Sequence, residues 1–109
     1  MTRRAPRLDA NHTECVEAFR NHGISVCSLA GMADGVPDLL IAYDDCCWLV
    51  EIKDGSKPPS RRKLTPPEEK FFLEWPGRCV VVYSTEDAKQ IANAIKRQAR
   101  ALAKVEAAE

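Results

Sequence analysis

Three charged side chains in this chain are spaced for chemistry: Asp38, Glu51 and Lys53. They flank two apolar runs, 38–43 and 46–53, joined by Asp44-Asp45. If that joint is a two-residue turn, Tyr43 faces Cys46, and stepping outward along the ladder brings Asp38 opposite Glu51. Directly opposed side chains share one face of a sheet, with Cβ atoms about 4.5–5.5 Å apart. Two carboxylates so placed repel each other. A cation between them removes that cost, and a divalent ion bound through oxygen is the natural candidate. Lys53 lies two residues beyond Glu51 and points to the same face. The pairing gathers two acids and a lysine at one end of a hairpin.

The hairpin must be held by what surrounds it. Both runs are rich in strand-forming residues and bounded by turn signals. Leu39, Ile41, Tyr43, Trp48, Val50 and Ile52 point one way. Leu40, Ala42, Cys47 and Leu49 point the other, with the charged trio. A sheet apolar on both faces is expected to be covered on both, with helices packed on each side. Pro37 suits a strand start, where no ladder donor is needed.

The segment GVPDLLIA and, later, LVEIKDGSKPPSRRKLTPPEEKFF resemble the PD-(D/E)XK nuclease superfamily. The closer resemblance is to its small stand-alone virus-type replication-repair (VRR-NUC) branch, often carried by phages. It covers residues 11–88. It implies a restriction-endonuclease-like α/β core and metal-dependent hydrolysis of DNA. It also implies Mg²⁺ or Mn²⁺ held by Asp38, Glu51 and the backbone carbonyl of Ile52, with Lys53 as a catalytic partner. Many superfamily members place a first-helix acid near the metal, and Glu14 matches that position. By its residues alone Glu14 is equally a helix N-terminal acid favoured by the dipole. Where relatives carry a glutamine just after the second helix's first glutamate, this chain has Glu69, an accessory candidate whose role departs from the pattern.

At 109 residues the chain is one domain, 1–109. A 45% hydrophobic content agrees with a globular fold. Sixteen basic and sixteen acidic residues leave no formal net charge. An argument for nucleic-acid binding therefore rests on where the charges sit. The sharpest asymmetry is the loop 54–63, DGSKPPSRRK, with Lys57, Arg61, Arg62 and Lys63 against Asp54. Its position directly after Lys53 favours phosphate contact over an ordinary solvated loop. Residues 1–8 hold Arg3, Arg4 and Arg7 and read as a flexible basic arm, either solvated or phosphate-contacting.

Five cysteines with no CxxC spacing read as reduced, small apolar residues of a cytoplasmic protein, in the host cytoplasm if phage-encoded. His12 and His22 do not cluster with them as zinc ligands would. No apolar segment is long enough to span a membrane. The first residues have a signal peptide's charge but no hydrophobic region after them.

In chain order, residues 10–22 read as a helix, capped by Asp9 or by Asn11 with Glu14 as a capping box, and ended by Gly23. Residues 24–29 form a strand. Residues 30–36, with Gly31 and Gly35, form a loop whose backbone can approach a ligand closely. Thr65, Pro66 and Glu68 open a second helix, ended at Pro76-Gly77. Residues 78–83 form a strand whose continuous Cys-Val-Val-Val run predicts an internal position. Ser84 or Thr85 caps a last helix, 85–106, with an apolar stripe at Ile91, Ile95, Leu102 and Val105. The order is α-β-β-β-α-β-α, a small mixed sheet flanked by helices.

These expectations converge on a metal-dependent DNA endonuclease acting on branched or double-stranded DNA, in the manner of a Holliday-junction resolvase. A nicking or flap-type nuclease is the runner-up. A non-catalytic DNA-binding module keeping the fold, a structural hairpin with solvated acids, and a small-molecule enzyme are the competing classes. The last lacks a phosphate-cradling glycine motif or nucleophile–base pair. The last helix argues for a homodimer. At some 22 residues it reaches about 33 Å, whereas a strand spans about 17–20 Å. Its stripe therefore overhangs the sheet and calls for a two-fold partner.

Overall fold

The computed structural model describes residues 10–109; the basic arm and Asp9 lie outside them. Helix α1 (Ala10–Asn21) is followed by strands β1 (Ser25–Ser28), β2 (Leu39–Tyr43) and β3 (Cys46–Ile52). Helix α2 (Pro66–Glu74), strand β4 (Cys79–Val82) and helix α3 (Thr85–Ala108) complete the chain. A short 3-10 turn, Pro59–Arg61, interrupts the basic loop.

The sheet order is β1-β2-β3-β4. The first two pairings are antiparallel and β3 pairs with β4 in parallel. The β2–β3 hairpin has the expected register, Tyr43 against Cys46 through to Leu39 against Val50. Asp44 closes its turn with φ 50, a left-handed conformation that aspartate tolerates.

Helices α1 and α3 pack on one face of the sheet. Cys15 and Phe19 of α1 and Ala88, Ala92, Ile95 and Ala99 of α3 meet Leu39, Ile41, Trp48, Val50 and Val82 there. The small residues of α3 let that helix lie close on the strands. Trp48 extends this core and donates its indole N–H to Gln98 at 2.7 Å.

Two expectations are corrected here. Strand β4 is an edge strand, not an internal one. Its apolar run arises because Val82 is buried in the core and Val80 packs against it, not because strands flank it on both sides. The opposite face of the sheet is also not covered along its length by a helix. Helix α2 roofs only part of it, and an apolar groove remains between α2, the 30–36 loop and the strands.

Helix α2 starts as its sequence dictates. The Thr65 hydroxyl accepts from the Glu68 N–H, and the Glu68 carboxylate accepts from the Thr65 N–H at 2.8 Å, a complete capping box. Gly35, at φ 88, lets the preceding loop touch this helix start. A Cβ there would lie 2.5 Å from the Pro67 carbonyl oxygen. Helix α3 begins at Ser84, whose hydroxyl accepts from the Asp87 N–H. Toward its far end Leu102 (47% exposed) lines a hollow beside the Asp44-Asp45 turn, and Val105 is 57% exposed.

Candidate metal and acid–lysine site

Asp38 and Glu51 sit where the hairpin register puts them, one step beyond the Leu39–Val50 pair and on the face opposite α1 and α3. Each acid is locked by the other's strand. The Asp38 Oδ2 accepts the Ile52 N–H at 2.8 Å, and the Glu51 Oε1 accepts the Asp38 N–H at 3.2 Å. This reciprocal clamp fixes both carboxylates without using all their oxygens, since each carboxylate has about four lone-pair sites.

Lys53 completes the cluster. Its ammonium lies 3.5 Å from Glu51 Oε2 and donates to Glu68 Oε1 at 2.7 Å. Glu68 therefore has two tasks, capping α2 and holding the lysine. The backbone of Lys53 is fixed as well. Its N–H donates to the Val82 carbonyl, and its carbonyl accepts from the Asn11 side-chain amide at 2.9 Å. Asn11 is thus not the helix cap that its sequence suggested. It sits inside α1 and ties that helix to the end of β3.

The electrostatics follow from burial. Glu51 is only 3% exposed. Desolvation, with the neighbouring Glu68 and Asp38 carboxyls, pushes its carboxyl up to about 9. For Glu68, burial acts in the same direction but is outweighed by hydrogen bonds from Glu51, Lys53 and the Thr65 N–H, which bring it down to about 2. Burial works against the Lys53 ammonium too. Glu68 and Glu51 outweigh it, and the lysine ends above its ordinary range. Lys53 thus lies against two acids, Glu51 and Glu68, with Asp38 beside Glu51, and burial favours a proton on Glu51. A hard divalent cation would displace that proton and cancel the repulsion.

The donor set fits such an ion. Among the described residues no three His, Cys, Asp or Glu side chains converge as a ready-made metal cage. Two carboxylates and a backbone carbonyl, with water and substrate oxygens completing the sphere, is the sparse oxygen ligation that Mg²⁺ tolerates and soft-metal sites do not use.

The remaining sequence candidates fall differently. Glu14 is exposed on α1 one turn from Asn11, and no contact joins it to the acid pair. Glu69 is exposed; the acid that reaches Lys53 is its neighbour Glu68. In the basic loop Lys57, Arg61 and Lys63 are exposed. Arg62 is half-buried, its guanidinium donating to the Gly55 carbonyl at 3.1 Å and lying 5.8 Å from the Tyr83 ring. All five cysteines are free thiols, and burial raises the pKa of Cys46, with help from Asp45 and Asp44, and of Cys79. Among the described residues no helix is long and apolar enough to cross a membrane.

A paired-acid and lysine cluster thus stands at the end of a hairpin, in a four-stranded mixed sheet with helices in the order α-β-β-β-α-β-α. Among solved structures the chain is similar to one described as a VRR_NUC domain, with a TM-score of 0.53 and 25% identity over 74% of this chain and 88% of that one. The chain has a VRR-NUC nuclease-like, restriction-endonuclease-like fold. No family model matches the sequence, and no curated protein matches it.

Proposed function

We propose that the protein is a Mg²⁺- or Mn²⁺-dependent DNA endonuclease that hydrolyses phosphodiester bonds. The observation that supports this most is the clamped Asp38–Glu51 pair with Lys53 on one sheet face, in a fold of nuclease type. Asp38, Glu51 and the Ile52 carbonyl would hold the ion. When bound, such an ion polarises a phosphoryl oxygen and lowers the pKa of a water.

The other roles belong to the chain itself. The hydrogen bonds from Ile52 and Asp38 N–H groups preorganise the carboxylates, so little reorganisation is needed on binding. Lys53 is the group that orients the attacking water or neutralises charge growing on the phosphate. Glu68 is a positioning residue: it fixes the ammonium at 2.7 Å. The loop cations Lys57, Arg61 and Lys63, with Arg62 held more tightly, lie a few residues beyond Lys53, where they would contact phosphates flanking the scissile one.

The reading extends to a structure-specific, resolvase-like enzyme working as a homodimer, because two symmetric cuts need two equivalent sites. The exposed Leu102 and Val105 toward the end of α3 support a self-associating surface. The free thiols are consistent with action in the cytoplasm.

The test is cleavage of a panel of end-labelled DNA structures (duplex, nicked, flapped and four-way junction) with Mg²⁺ and Mn²⁺, beside the sedimentation mass at micromolar concentration. Metal-dependent, symmetric cleavage of the junction by a dimer is expected. Cleavage of flapped or nicked DNA by a monomer would replace the resolvase reading with a nicking or flap nuclease. No cleavage of any member would defeat the enzyme reading.

A further inference from the structure

The acid–lysine cluster does not end in open solvent along the strands. On the same sheet face, the next cross-strand pair inward from Asp38 and Glu51 is Leu40 with Leu49. Two residues of strand place it about 7 Å away. Leu40 and Leu49 form the floor of an apolar groove of about 470 Å³. Met32, Phe71 of α2, Trp75 just past its end and Arg78 also line it, the Arg78 guanidinium itself lying 4.7 Å from the Trp48 ring.

The wall on α2 is continuous with the catalytic cluster. Glu68 and Phe71 fall at helical spacing i and i+3 and so share one face of α2, and Trp75, just past the helix end, donates its N–H to the Phe71 carbonyl. The helix that holds Lys53 through Glu68 therefore also lines the groove with aromatic rings. Phe71 and Trp75 are stacked, with centroids 5.2 Å apart and planes 16° from parallel. Trp75 nevertheless stays 47% exposed, so its indole retains surface for another ring. Gly77 lies against it, and an added Cβ there would come within 2.7 Å of the indole nitrogen. A half-exposed tryptophan held against a backbone in the lining of an apolar groove is a stacking platform.

We propose that this groove takes an unstacked nucleobase of the substrate strand, next to the phosphate held at Asp38, Glu51 and Lys53. The inference rests on the nuclease reading for its ligand class. Aromatic rings stack on any base, because every base has a π-face. The apolar floor accepts the ring body. The separation of floor and acid pair is on the scale of one extended nucleotide. The volume lies within the range of small-molecule sites, about 300–1,000 Å³. A base in a continuous duplex cannot enter without leaving its stack, which costs free energy that a flap, gap or junction has already spent. The groove would thus make the enzyme prefer DNA with an unpaired nucleotide beside the cut.

The experiment places 2-aminopurine at the unpaired nucleotide of a flapped oligonucleotide and, separately, within a fully paired duplex. Binding is read in chelator, where metal-dependent cleavage does not interfere. The wild-type protein is expected to quench the unpaired probe by stacking and to bind the flapped DNA more tightly than the duplex. Trp75→Leu, which keeps an apolar side chain, should remove the quench and weaken flapped-DNA binding about 5- to 150-fold, the effect of losing one base–aromatic stack. Its duplex affinity should stay within about two-fold, since phosphate contacts supply non-specific binding. A thermal melt establishes that the variant is folded, and Trp75→Phe, which retains a ring, should restore most of the quench.

An unquenched probe with equal flapped and duplex affinities would overturn the proposal. So would a DNA-free dimer in which Trp75 is shielded from a soluble quencher, because the groove would then belong to a second copy. Metal-dependent cleavage with no quench would overturn the groove and leave the nuclease reading intact. A quench without cleavage by any metal would support the groove and defeat the nuclease reading.

Discussion

Glu51 makes the metal-free protein sensitive to pH in a direction opposite to most carboxylates. Its carboxyl is raised from an ordinary value of 4.5 to about 9, so between those values the folded state holds a proton that the unfolded state has released. Stability then falls as pH rises through that window, with a ceiling of about 1.4 kcal/mol per pH unit for one proton. Glu68 acts elsewhere. Lowered to about 2, it adds stability above 4.5 that is lost as pH falls toward 2, so its contribution is constant where that of Glu51 changes. Lys53, raised above 10.5, contributes fully below that value and weakens only at higher pH. From pH 5 to 8 the ceiling from Glu51 is about 4 kcal/mol. Even a third of it would shift Tm by roughly 5–10 °C in a domain of this size. The assay is thermal melting in chelator from pH 5 to 8 for the wild type and Glu51→Gln, which keeps the shape and removes the titration. The wild-type Tm should fall relative to that of the variant as pH rises, and Mg²⁺ should stabilise the wild type most at the alkaline end. A wild-type-to-variant difference that stays flat from pH 5 to 8 would refute the account of Glu51.

Three further perturbations separate structure from chemistry. Thr65→Ala removes the cap of α2 and should cost about 1 kcal/mol in urea unfolding with cleavage little changed, whereas Glu68→Gln, which loosens Lys53, should lower the cleavage rate roughly 10-fold or more. Gly35→Ala forces both a Cβ against the Pro67 carbonyl and a strained φ of 88, and should destabilise the protein by about 1–3 kcal/mol in the same assay. Neutralising Lys57 and Arg61 should weaken binding to all DNA sequences alike and reduce the salt slope by about one per lost contact.

Much of this site was legible in the sequence because a two-residue turn fixes parity. Once Asp44-Asp45 is the turn, Asp38, Glu51 and Lys53 must share a face, and they do. The Thr65–Glu68 capping box was equally local and formed as written. The second task of Glu68 was not legible, because it depends on the start of α2 folding back over the end of β3. The only hint was Gly35, whose missing Cβ makes room for Pro67. Asn11 misled for a similar reason: near a helix start asparagine reads as a cap, and its link to the Lys53 carbonyl spans 42 residues. The apolar run of β4 looked internal because burial by helices and burial between strands leave the same composition. The open groove beside α2 follows from that helix being too short to cover the sheet, which no local pattern records.

Metal-dependent cleavage by this protein depends first on the Asp38–Glu51 pair. Asp38→Asn removes one carboxylate charge while preserving an oxygen that can accept the Ile52 N–H. Its rate of Mg²⁺-dependent phosphodiester cleavage, measured on end-labelled branched DNA beside the wild type, is the decisive quantity. A folded variant with an unchanged or higher metal-free Tm and no detectable cleavage is expected. Near-wild-type cleavage by a purified, folded Asp38→Asn protein would contradict that dependence.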